Sequence, residues 1–154
     1  MSIIEKESNI KIQTRAISCL INFVQGLIHE DEQEIEDTKK SSDILALYAD
    51  SIFNQLQINL KQAIQTNYEP MQEEVMSLIN VSATIIEEKF GKYFGQFMPL
   101  MTEILQNVDS NTPEKMQLRA RTIETIGYMI TAIEGDEQFR QTVQQVTETL
   151  FGIL

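Results

Sequence analysis

The sequence is poor in the residues that staple or punctuate a small protein. A single cysteine, Cys19, excludes an intramolecular disulfide framework and suits a reducing compartment. Six glycines and three prolines among 154 residues are too few turn formers for a sheet of many short strands. There is no tryptophan, and the one histidine, His29, leaves little acid–base machinery near neutral pH. No apolar run approaches the roughly 18 residues that a membrane-spanning helix needs. The first residues, MSIIEKESNIK, lack the basic-then-apolar order of a signal peptide. A Gly-rich phosphate loop, a nucleophile elbow and a Cys–His pair in register are also missing. The sequence therefore indicates no enzyme and no cofactor.

Basic charge is scarce too. Twelve Lys and Arg stand against 23 Asp and Glu, a net charge of −11. That balance disfavours nucleic acid, whose phosphates need cations to neutralise them, and favours basic partners through the overall field.

What remains is rich in helix formers, with apolar residues at helical spacing nearly throughout. The pattern predicts an all-α chain of six helices. The first runs from about Asn9 to Ile28, with Ile10, Ile17, Leu20, Ile21, Val24 and Ile28 on one side and Cys19 as a small buried residue. Ser41 or Ser42 caps the second, which continues to about Gln65 with the stripe Leu45, Tyr48, Ile52, Leu56, Leu60 and Ile64. Pro70 suits the first turn of a third helix that runs to about Lys89, with Gly91 as a left-handed stop. The fourth covers about Lys92 to Val108, with Gly95 in its first turn and a bend at Pro99. Thr112 and Pro113 cap and open the fifth, which ends near Ile133. Gly135 and Asp136 separate it from a sixth carrying Phe139, Val143, Val146, Leu150 and Ile153.

The helices repeat. Leu20-Ile21-Asn22-Phe23 matches Leu78-Ile79-Asn80-Val81, which in turn matches Ile123-Glu124-Thr125-Ile126, 45 residues on. Tyr48, Ile52 and Leu56 match Tyr93, Phe97 and Met101, also 45 apart. The unit is a helix pair of about 45 residues, which suits an α-α superhelix of the HEAT or armadillo type. Three repeats are expected, at about 8–66, 69–109 and 112–154, with an acidic insertion at about 29–43 between the first two helices. The apolar ending Leu150-Phe151-Gly152-Ile153-Leu154 reads as an excerpt of a longer array.

The stretch IIEEKFGKYFGQFMPLMTEIL, with TRAISCLINF before it and LRARTIETIGYMITAI and GDEQF after it, resembles the importin-beta (karyopherin-beta) nuclear transport receptors, nearest the importin five or karyopherin beta three branch. The resemblance covers residues from about 11 to 154 apart from the insertion. It implies a non-catalytic HEAT scaffold working in the cytoplasm and nucleus, including the nuclear pore. Its partners would be cargo proteins with basic localisation signals, the Ran GTPase in its GTP form, which releases cargo, and Phe-Gly nucleoporins. Nucleic acid and membrane insertion are not implied. The sequence leaves open a HEAT scaffold of another complex, such as a phosphatase regulatory or chromatin-associated subunit, and a self-contained helical-bundle regulator.

Two groups of residues are candidates for contact. Opposite the apolar stripes, helix two offers Asp50, Asn54, Gln57 and Lys61, helix four Thr102, Glu103, Gln106 and Asn107, and helix six Gln141, Gln144, Gln145 and Glu148. If even-numbered helices line a concave wall, carboxylates there pair with cargo lysines and amides hold an extended backbone; ordinary solvated faces carry the same composition. The insertion holds Glu30, Asp31, Glu32, Glu34, Glu36 and Asp37, six acids in eight residues. It reads as a solvated linker or as a contact for a basic surface. His29 beside it lacks a second His or Cys ligand, so no metal is expected. The methionines read as core filling or as adaptable contact surface.

Overall fold

The computed structural model describes residues 9–29, 35–108, 111–135 and 140–153. Among them are six α-helices, one 3₁₀ turn and no strand, so the all-α class stands. The helices are α1 (Ile10–His29), α2 (Ile35–Gln65), α3 (Glu69–Ile86), α4 (Gly91–Asn107), α5 (Pro113–Ile133) and α6 (Arg140–Ile153), with the 3₁₀ turn Glu87–Phe90 before α4. Among the described residues no helix is long and apolar enough to cross a membrane. The chain forms two compact units, 1–86 and 87–154.

In the first unit, α3 packs against both α1 and α2, and α1 also touches α2. Asn9 starts α1: its side-chain carbonyl accepts from the Lys11 amide at 3.0 Å and its backbone carbonyl from Ile12 and Gln13. The buried face of α2 is Leu45, Ala49, Ile52, Phe53, Leu56, Leu60 and Ala63, a spacing of three and four. The end of α2 is a left-handed cap on Asn67 (φ 50°), where the Tyr68 amide donates to Ala63 and the Asn67 amide to Ile64. Pro70 follows in the first turn of α3, where its missing N–H costs nothing. α3 then buries Met71, Val75, Met76, Leu78, Ile79, Ala83 and Ile86.

In the second unit, α5 packs against α4 and the 3₁₀ turn. Phe90, Tyr93, Phe94, Phe97, Leu100, Met101, Ile104 and Leu105 are buried, as are Leu118, Ile126, Met129 and Ile133 of α5. Thr112 caps α5 through the Lys115 amide, with Pro113 at the first helical position, as its sequence indicates. Arg119 donates to the Leu105 carbonyl at 2.8 Å, supplying a cation and a donor to the otherwise unpaired C-terminal end of α4.

Several sequence expectations are corrected. α2 begins at Ile35, so Ser41 and Ser42 do not cap it and the acidic insertion is helical from that point. The segment has no Gly or Pro to stop a helix, its acids suit a helix start, and Glu36 and Lys40 have the favourable four-residue spacing. Gly91 is not a left-handed stop. No described glycine has positive φ, and the left-handed residue is Glu87 (φ 48°), at the end of α3. Gly91 instead opens α4, which places Gly95 beyond the first turn. Pro99 does lie inside α4, where it cannot donate to the Gly95 carbonyl four residues back. Cys19 is exposed rather than buried. Tyr48, expected on the buried stripe of its helix, is 62% exposed, while Leu45 and Ala49 are buried. Ile28, Phe139, Leu150 and Ile153 carry side chains outside the described set, as does Asp136, while Val143 and Val146 are half-buried. Met71, Met76, Met98, Met101 and Met129 fill core, and Met116 is exposed.

Candidate partner-binding faces

The polar residues proposed for contact are placed by their helices. On α2, Asp50, Asn54 and Lys61 are exposed and Gln57 is half-buried, at spacings of four, three and four that put them in one row. On α4, Glu103, Gln106 and Asn107 are exposed, while Thr102 is half-buried and donates to the Met98 carbonyl at 3.0 Å. That bond ties Thr102 to its own helix. On α6, Gln141, Gln144 and Glu148 are exposed, and the Gln144 amide donates to the Glu148 carboxylate at 3.2 Å. The side chain of Gln145 lies outside the described set. So do Glu30, Asp31, Glu32 and Glu34, whereas Glu36 and Asp37 belong to the first turn of α2 with undescribed side chains.

The α2 and α4 rows match in chemistry. Each presents a carboxylate and an amide within two turns of helix, acceptors and donors suited to a cationic side chain and to an extended backbone. Among the described residues, no group of three or more His, Cys, Asp or Glu is placed to hold a metal ion.

Sequence reasoning missed a second surface on α2. Ile44, Leu47, Tyr48 and Ile58 are all exposed, Leu47 to 79% and Ile58 to 58%. At about 100° per residue they share one side of the helix, and Leu47 and Ile58 border the row of Asp50 and Asn54. The signal was present in the sequence: α2 has more large apolar residues than its core-facing stripe accommodates. α1 likewise exposes Ile12 and Phe23.

Among the described residues, the interior holds several polar groups. Gln55 donates to the Asn59 side-chain carbonyl at 3.0 Å in a buried setting. The Asn59 amide nitrogen, Asn80 Oδ1 and Ser82 Oγ are buried with no hydrogen bond among the described residues.

Compared with known proteins, the chain is 26% identical over 153 residues to Importin subunit beta-3 of Saccharomyces cerevisiae. The match takes in 99% of this chain and spans 12% of the length of that relative. No family model matches the chain, and no solved structure does.

Proposed function

We propose that the chain is a non-catalytic binding segment of a nuclear import receptor, built of HEAT-type helix pairs. The observation that carries this reading is the 26% identity to the yeast importin subunit over 99% of the chain. A chance likeness between helical proteins tends to be confined to a few amphipathic turns. The all-helical architecture and the approximate 45-residue periodicity of the sequence support the same reading. In it, repeats run at about 8–66, 69–109 and 112–154.

Cargo bearing basic localisation signals is then held by Asp50, Asn54 and Gln57, by Thr102, Glu103, Gln106 and Asn107, and by Gln144 and Glu148. Carboxylates pair with lysines and amides hold the backbone. The acidic segment of Glu30, Asp31, Glu32, Glu34, Glu36 and Asp37 offers a further contact to a basic surface. Ran in its GTP form releases the cargo, Phe-Gly nucleoporins contact the opposite side, and the receptor shuttles between cytoplasm and nucleus.

The test is a titration of the immobilised chain with a fluorescent lysine-rich localisation peptide, followed by Ran loaded with GTP or GDP. Saturable binding that Ran-GTP displaces and Ran-GDP does not is the expected result. Because the chain spans 12% of the length of the yeast relative, the same titration is run on the full-length parent protein, and absence of both peptide binding and Ran-GTP binding there removes the import reading and leaves a helical-repeat scaffold of another complex.

A further inference from the structure

The start of α5 carries more than a helix cap needs. It reads Thr112-Pro113-Glu114-Lys115, and of the three prolines only Pro113 follows a hydroxyl residue. Capping accounts for the threonine, the proline and Glu114, whose charge suits the positive end of the helix dipole. It does not account for Lys115, a cation in the first turn. The preceding repeat offers a comparison. Its matching stretch, 45 residues earlier, reads Asn67-Tyr68-Glu69-Pro70, and α3 starts there with neither a threonine nor a lysine. Thr112 is exposed on extended backbone, φ −129° and ψ 154°. Among the other exposed hydroxyl residues described, Ser51, Thr84, Thr131 and Thr147 lie within helices and Thr66 in the turn that ends α2. Thr66 and Thr147 also donate to carbonyls one turn back, Gln62 and Val143, at 2.8 Å. The Thr112 hydroxyl instead accepts from the Lys115 amide at 3.3 Å, beyond the usual range, which ends at about 3.2 Å.

We propose that Thr112 is a phosphorylation site for a proline-directed protein kinase. A kinase pocket that offers no acceptor to the residue after the target takes a proline without penalty and leaves the N–H of any other residue unpaired. An acidic site beyond that pocket reads Lys115. Binding in extended form opens the first turn of α5. It releases the Lys115 amide from Thr112 Oγ1 and the Met116 amide from the Thr112 carbonyl, now bonded at 3.0 Å. Lys115 has a further partner in the fold, which opening of the turn exchanges for the kinase. Helix ends open at little cost, so the segment is accessible without global unfolding. Thr112 Oγ1 then attacks the γ-phosphorus of Mg-ATP held by the kinase. The new P–O bond forms as the bond to the β,γ-bridging oxygen breaks, ADP leaves, and the hydroxyl proton passes to the base of the kinase. When the turn closes, the phosphate lies at the N-terminus of α5. There the amides of Glu114 and Lys115 and the helix dipole favour its charge of about −1.5 to −2. The exposed Glu114 carboxylate opposes it in part. This site does not depend on the import reading.

The test incubates the chain with Mg-ATP and a cyclin-dependent kinase and maps the product by fragmentation mass spectrometry. One phosphate, on Thr112, is the expected result. Thr112→Ser, which keeps both hydroxyl and cap, should accept it too, and Thr112→Val should lose it. Pro113→Ala keeps the hydroxyl and should be modified at least about tenfold more slowly than the parent. Lys115→Ala should be slowed by about threefold. Circular dichroism should give both variants the helix content of the parent. The phosphorylated chain should unfold about 1–4 °C above the unmodified one, because the phosphate holds the first turn of α5. Absence of phosphate on Thr112 would overturn the proposal, as would a Pro113→Ala rate equal to that of the parent. Phosphate on another residue alone, such as Thr66, would do the same. A lower unfolding midpoint after modification would overturn the placing of the phosphate against α5.

Discussion

The side-chain amide of Gln72, in the first turn of α3, donates to the backbone carbonyl of Ala63, near the end of α2, at 3.1 Å. The same carbonyl accepts the Tyr68 amide at 2.9 Å, so the two helices and the cap between them meet at one oxygen. Gln72 is buried. Gln72→Leu keeps the Ala63 carbonyl satisfied through Tyr68, so it should cost only about 1 kcal/mol. Gln72→Glu at neutral pH points a buried carboxylate at a carbonyl oxygen and should cost about 3 kcal/mol or more. Urea denaturation of the two variants measures the difference, and a Gln72→Glu protein as stable as Gln72→Leu would contradict the assigned contact.

Glu87 holds a left-handed conformation, φ 48°, that a glycine adopts without a steric penalty. Its side chain is exposed, so little packing is lost on truncation. Glu87→Gly should therefore stabilise the chain by about 0.5–1 kcal/mol, the left-handed penalty less the added chain entropy of glycine. Glu87→Val, β-branched at positive φ, should destabilise by more than about 1 kcal/mol. Thermal unfolding of the pair gives opposite shifts if the turn is as described.

That turn also marks where the sequence was legible and where it was not. Helix number, the Thr112–Pro113 start, Pro70 in a first turn and the burial of Ile52, Leu56 and Phe97 follow from periodicity and capping chemistry, which act within a few residues. Glu87 was missed because glycine is the usual left-handed residue and Gly91 stood four positions away. Tyr48 and Cys19 were missed for a related reason: a helical stripe gives direction to within about 60°, and which edge is covered depends on the neighbouring helix. The polar rows of α2 and α4 could be read as faces of their helices.

Gln55 and Asn59 form a buried pair in which the Gln55 amide donates to Asn59 and the Asn59 amide nitrogen has no acceptor among the described residues. Asn59→Leu removes the unmatched donor but strands that of Gln55, so it should lie within about 1 kcal/mol of the parent. Changing both to leucine removes both polar groups and should be at least as stable as the parent, with a favourable coupling of about 1 kcal/mol in the double-mutant cycle. Additive single and double variants would show that the pair is not a unit.

Tyr48 and Tyr93 occupy the same place in successive copies of the repeat, yet Tyr48 is 62% exposed and Tyr93 2%. Tyr93 sits near Phe90, ring centroids 6.2 Å apart, with the Lys92 ammonium 4.8 Å from its ring. Truncating it removes a large aromatic from the buried core. Tyr93→Ala should cost about 3–5 kcal/mol, a large part of the stability of a domain of this size. Tyr48→Ala removes a ring already mostly in water and should change stability by less than about 0.5 kcal/mol. Chemical denaturation of the two variants, matched in residue type and substitution, separates the effect of burial from that of the side chain itself. If Tyr48→Ala were as costly as Tyr93→Ala, Tyr48 would have to be buried in solution, by a second copy or by other parts of the chain, and sedimentation at two concentrations would tell these apart.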